Sequence, residues 1–201
     1  MQPAEVDIKE IVQHARIALE HGGDDAEVIA YAGYLFGTPG GDLHGAVALT
    51  EKALSLNPNS VVALTMSGLM HAHVGNTGLA IERVMRAARL NPLEGDGFRN
   101  NILSIAYLYA GQYEAAIEFA RKALLDRPNY VAPMRRQAAL LGLLGRIGEA
   151  RDVVQRLRTI SPDMTISRVR AYLAVGAPPE AQISHFHDAI CEGLRLAGLP
   201  E

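Results

Sequence analysis

The chain has one cysteine, no tryptophan, and aromatic side chains at only 5% of its 201 residues. A single thiol, Cys191, forms no intrachain disulfide, so no covalent staple is available and a reducing compartment suits the chain. No apolar run approaches the roughly 20 residues that a membrane-spanning helix requires. The first ten residues carry Glu5, Asp7 and Glu10 and no apolar stretch, unlike a secretory signal. Together these absences predict a cytoplasmic protein. Charge of one sign is also scarce: 19 basic against 22 acidic residues leave a net charge of −3. Neither a nucleic acid nor an anionic membrane is therefore expected as a partner.

What is plentiful is Ala, Leu and Arg in a chain that is 49% hydrophobic, a mixture that favours helices. Three columns of residues recur along it. Pro58, Pro92, Pro128 and Pro162 are spaced 34, 36 and 34 apart. Ala46, Ala80, Ala116 and Ala150 keep the same offsets, and so do Gly41, Gly75, Gly111 and Gly145. Each column has a mechanical reason. The glycine ends a first helix, because it tolerates the left-handed conformation that stops one. The alanine lies about one turn into a second helix, where a small side chain lets two helices approach. The proline follows that helix and disfavours helical geometry in the residue before it. Apolar residues between these marks recur at helical spacing, as in Ala116, Ile117, Ala120, Ala123 and Leu124. A helix pair of this size cannot bury its apolar face alone, so the pairs must stack.

The pattern divides the chain into repeats at 27–60, 61–94, 95–130 and 131–164, the third with two extra residues around Glu94 to Gly97. Residues 4–22 read as an N-terminal capping helix. Residues 165–174 and 180–197 read as C-terminal capping helices, and the whole of 1–201 as a single domain. The GTPGG segment at 37–41 is expected to cut the first leading helix short.

These columns resemble the tetratricopeptide repeat, a module of 34 residues per helix pair. Gly68 and Ala138 match its small residue in the middle of the first helix and Ser104 fits acceptably, whereas Tyr34 departs from it. Only Tyr107 supplies the aromatic expected one turn later; Gly37, His71 and Leu141 do not. The resemblance implies an all-α, right-handed superhelical α-solenoid whose first helices line a concave face. On that face it places Val28, Tyr31 and Leu35 in the first repeat, and Val62, Thr65, Leu69 and His73 in the second. The third supplies Phe98, Asn101, Ile105 and Tyr109, and the fourth Arg135, Ala139 and Leu143. The lining is mostly apolar, with Asn101 and Arg135 as its polar anchors, and it implies a protein or peptide partner. Three occupants are open: a partner helix or peptide, a second copy of the chain, or its own C-terminal helix.

A narrower resemblance rests on AGQYEAAIEFARKAL and, above all, the ending EGLRLAGLPE. Both look like the C-terminal region of bacterial proteins that join a class III adenylate or guanylate cyclase domain to such repeats. The resemblance implies a regulatory module linked or related to a cyclase, with the catalytic domain lying N-terminal to the repeats. No period-2 strand segment is present here, so no cyclase activity is expected of these residues. They are either the repeat region of such a protein or a stand-alone relative.

Other chemistry finds little support. His71-x-His73 and His185-x-His187 place their rings on different sides of a helix, and no Cys or His at a second spacing completes a zinc site. No metal or cofactor is therefore expected. Cys191 falls on an apolar helical pattern with Ile190 and Leu194, which predicts a buried, inert thiol. GTPGG lacks the lysine of a phosphate cradle. Glu114, Glu118, Glu149 and Asp152 read as surface charge. Charge is uneven, however. Residues 1–60 hold three basic against nine acidic residues, and 131–170 hold eight arginines against Glu149, Asp152 and Asp163. That axis suggests head-to-tail self-assembly as an alternative to partner binding.

Overall fold

The computed structural model describes residues 8–38, 40–92, 96–174 and 184–201. The described residues are all-helical and form two compact units, Met1–Pro92 and Leu93–Glu201. The first unit contains α1 (Ile8–His21), α2 (Ala26–Gly37), α3 (Leu43–Leu56), α4 (Val61–His73) and α5 (Thr77–Leu90). The second contains α6 (Gly97–Tyr109), α7 (Tyr113–Asp126), α8 (Val131–Leu143), α9 (Ile147–Ile160), α10 (Ile166–Ala174) and α11 (Ser184–Leu196). Helices pair as α2 with α3, α4 with α5, α6 with α7 and α8 with α9, while α1 packs on α2. The start of the expected N-terminal cap and most of the connection between the two C-terminal helices lie outside the described residues.

The three columns do what their chemistry dictates. Gly41, Gly75, Gly111 and Gly145 all take positive φ, between 72° and 85°, at the turn inside each pair. A Cβ on Gly145 would meet nothing within 4 Å, so its conformation alone makes glycine the fitting residue. Gly145→Ala should therefore cost about 1 kcal/mol in a urea titration, the strain of a left-handed alanine. The four alanines are completely buried. Each proline stands two residues beyond its helix, and the residue before it is non-helical, with φ from −126° to −138°.

The first pair meets the small-residue requirement in a shifted register. Gly33, not position 34, faces α3: a Cβ there would crowd the Ala46 carbonyl oxygen at 3.1 Å. In the second pair a Cβ on Gly68 would stand 3.1 Å from the Ala80 carbonyl oxygen and would overlap Val84. The departure at Tyr34 is thus a one-residue slip, and the close approach of the two helices is kept. Helix α2 does stop early, at Gly37, where Thr38 closes its last turn by donating to the Tyr34 carbonyl.

The core of the second unit runs through Ile117, Leu140, Leu141, Ile166 and Leu194, all almost wholly withdrawn from water. Ile166 is clamped further, since its amide donates to the Pro200 carbonyl at 2.8 Å.

Candidate interaction surface

In the first unit the leading helices α2 and α4 carry the expected lining. Val28, Leu35, Val62 and His73 are half-buried, and Tyr31 is 49% exposed. Thr65 and Leu69 are buried, and the Thr65 hydroxyl donates to the Val61 carbonyl at 2.7 Å. The open part of this face therefore centres on Tyr31.

The second unit is different because α11 lies on α8. Gly142 and Gly193 make the crossing. A Cβ on Gly142 would overlap the Gly193 carbonyl oxygen, and a Cβ on Gly193 would overlap that of Ala139. The two backbones touch, which only glycine permits. Ala139 is completely buried and Leu143 half-buried at this crossing, so neither offers a partner much surface while α11 is docked. Tyr109 packs on Phe186 with ring centroids 5.4 Å apart, and its hydroxyl stands 3.5 Å from His187 Nε2. Of the remaining lining, Phe98 is half-buried and Ile105 buried. The structure thus brings Tyr109, Ala139 and Leu143 together beneath α11.

Both expected polar anchors are engaged internally. The Asn101 amide donates to the Tyr130 hydroxyl at 3.1 Å and accepts from Arg136 at 3.1 Å. Arg135 is buried with its guanidinium 4.5 Å from the centre of the Tyr172 ring. Beside it Arg136 donates to Asn101 and Ser104, and Ser104 in turn donates to the Ala116 carbonyl. Among the described residues no carboxylate pairs with either arginine. Burial, then the charge of Arg135, pushes the Arg136 guanidinium down to about 10. Burial also lowers Arg135 and raises the Tyr109 phenol to about 12. Two like charges thus lie on adjacent residues, poorly solvated, with Arg136 turned to α6 and Arg135 to Tyr172 of α10. Sequence reasoning missed Arg136, Phe186, Gly142 and Gly193, and weighed His187 only as a metal ligand. Only an adjacent arginine pair on an otherwise apolar helix hinted at them.

Among the described residues the histidines and the cysteine form neither a metal-binding group nor a histidine-activated nucleophile. In the first unit Glu51 accepts from Ser67 at 2.8 Å and Arg83 at 3.0 Å, and lies 3.2 Å from His71 Nε2. The serine hydroxyl bonds the carboxylate and not the imidazole, the wrong order for a nucleophile activated by histidine. His71 is buried, and its Nδ1 lies 3.3 Å from the Asn76 amide. Burial raises the Cys191 thiol, which is 2% exposed and so poorly reactive. No group of three His, Cys, Asp or Glu among the described residues is placed to hold a metal ion. No helix among them is long and apolar enough to cross a membrane.

No family model matches the sequence, and no curated protein does. Solved structures do. MamA from Desulfovibrio magneticus RS-1 aligns over 79% of this chain and 88% of its own, at 19% identity and a TM-score of 0.61. YrrB, a TPR protein with an unusual peptide-binding site, aligns over 91% of this chain and 95% of its own, at 18% identity and a TM-score of 0.56. The fold is the tetratricopeptide fold. At such identities the likeness carries the architecture alone. In tetratricopeptide terms α2, α4, α6 and α8 are the first helices of four pairs, and α11 sits on the first helix of the last pair.

Proposed function

We propose that this chain is a protein- or peptide-binding module without catalysis of its own. The observation that carries the reading is α11 on α8: the inner face of a first helix already receives an amphipathic helix here. The corresponding face of the first unit presents Tyr31, with Val28, Leu35 and Val62 around it, and tyrosine is well suited to anchor a contact. Thr65, Leu69 and His73 complete that face beneath and beside the anchor. The peptide-binding site of YrrB lends support, as an instance of such a fold put to that use. Selecting peptides from a displayed helical library on the full chain, then titrating the enriched sequences, tests the reading. Tyr31→Ala should weaken them about tenfold, the effect of losing one aromatic anchor. Unchanged affinity in both Tyr31→Ala and Leu35→Asp would remove the first unit's face as the site.

The finer reading is a regulatory module of a bacterial, cytoplasmic cyclase system, with the cyclase catalytic domain as partner. Only the resemblance of the C-terminal segment supports it. Titration of a class III cyclase domain with this chain checks it, and absence of saturable binding would end it.

A second reading, self-assembly with another copy, has a narrower basis than the sequence suggested. Of the eight arginines in 131–170, Arg146 pairs with Glu114 and Glu149, Arg168 with Asp163, and Arg170 with Asp188. Arg156 donates to the Pro128 carbonyl. Arg135 and Arg136 are buried, which leaves Arg151 and Arg158, lining a cleft with Val154, Pro162 and Ala197. An end-to-end contact through them predicts association that weakens as salt rises, read by sedimentation at low and high ionic strength. A salt-independent monomer would rule it out.

A further inference from the structure

We propose that the α8 face beneath α11 is the seat of a partner helix that carries a carboxylate over Arg135, and that α11 fills this seat when the partner is absent. The inference rests on reading first-helix faces as binding surfaces, and it adds the chemistry of the occupant.

Three observations lead to it. First, the seat is shaped for a helix. The backbone contact at Gly142 and Gly193, with Ile190, Cys191, Leu194 and Ala197 buried around it, fits a helix with a small residue at the crossing and an apolar stripe on either side. Second, the seat is cationic and uncompensated. Arg135 is buried with the Tyr172 ring as its partner, and its neighbour Arg136, turned to Asn101 and Ser104 of α6, adds a second charge that no carboxylate among the described residues offsets. A charge removed from water without an opposite charge is unfavourable, so the closed arrangement leaves an interaction unmade. Third, α11 does not make it. Its acidic side chains turn outward, Asp188 lying 3.6 Å from Arg170 and Glu192 pairing with Arg195. On the inner side it presents His187, half-buried, whose basicity is lowered first by burial and further by Arg135, against the opposing charge of Asp188.

Tethering explains why an acid is required of an outside helix. Attached through a short connection, α11 acts at an effective concentration in the millimolar range. A helix with the same contacts at micromolar concentration is outcompeted about 1,000-fold. A carboxylate where α11 has His187 supplies the missing term, because a charge pair shielded from water is among the stronger polar contacts.

The test uses the full chain and two synthetic peptides of residues 184–201, both carrying Cys191→Ser, one of them also His187→Glu. Binding is read by fluorescence anisotropy of labelled peptide, and release of α11 by the rate at which Cys191 of the full chain reacts with a maleimide. The His187→Glu peptide should bind at least tenfold more tightly than the other, speed Cys191 labelling, and lose its advantage on an Arg135→Met chain. Within the chain, His187→Glu should raise the melting temperature and slow Cys191 labelling. That measurement stands even where Arg135→Met fails to fold. Equal affinity of the two peptides, or an advantage that survives Arg135→Met, overturns the acidic partner and leaves helix binding intact. Binding of neither peptide, with labelling unchanged, overturns displacement, while the Tyr31 experiment still judges the broader function.

Discussion

Gly193→Leu is expected to release α11 from the second unit. The contact it breaks is backbone against backbone: a Cβ at this position overlaps the Ala139 carbonyl oxygen and comes within 2.9 Å of Leu143 Cγ. Overpacking a core usually costs about 1–3 kcal/mol because neighbouring side chains give way. Here the obstacle is a helix backbone, which cannot rotate aside, so the cost rises until it equals that of detaching α11. Cys191 is the natural reporter, since it is the only thiol and lies buried on α11. A loss of about 2.7 kcal/mol in docking corresponds to labelling about 100-fold faster. Glu192→Leu, one residue earlier but exposed, is the control and should leave labelling unchanged. Equal labelling of Gly193→Leu and the native chain would show that the crossing is not this close.

The second large effect is expected at Glu51 in the first unit. One carboxylate on α3 ties Ser67 and His71 on α4 to Arg83 on α5. Since the Asn76 amide donates to Nδ1 of His71, Nε2 carries the hydrogen and donates to Glu51. Glu51→Ala strands the Ser67 hydroxyl and the His71 ring, both buried, each at about 1–3 kcal/mol. The half-exposed pair with Arg83 adds little. A total of about 3 kcal/mol should appear in a urea titration. Glu51→Gln keeps an acceptor for both buried donors and should cost only about 1 kcal/mol. Acid should mimic the loss. Burial pushes the Glu51 carboxyl up, but hydrogen bonds from Ser67 and His71 and the charge of Arg83 outweigh it and hold it below its ordinary value of 4.5. The folded state therefore binds this proton less readily than the unfolded chain. The stabilisation is complete above 4.5 and is lost as pH falls through the lower, folded value. A Glu51→Gln chain should lack this component of acid sensitivity.

The repeat was legible because its three columns act locally. A glycine stopping a helix, a proline fixing the residue before it and an alanine at a crossing each need only neighbours a few residues away. Even the exception at Tyr34 was a slip of one position, invisible to a fixed column because Gly33 meets the same physical requirement. The candidate surface was half legible. The resemblance to the tetratricopeptide repeat named Tyr31, Tyr109, Arg135 and Ala139, but not what covers them. Docking of α11 depends on Gly142 and Gly193, distant in sequence, and a glycine within a helix reads only as a weak helix former. Arg136 was missed because arginine is ordinarily solvated, and nothing local reveals that Asn101 and Ser104 will receive it. The eight arginines of 131–170 read as one basic field, whereas folding takes six of them to acids, a carbonyl and the core and leaves Arg151 and Arg158 on a cleft.

An occupied seat also governs tempo. A partner meeting an open face associates at a rate that climbs in proportion to its concentration. With α11 in place, the observed rate instead levels off at the rate at which α11 lifts away, however much partner is added. The glycine crossing would then serve as a timer, set by the chain itself and independent of supply.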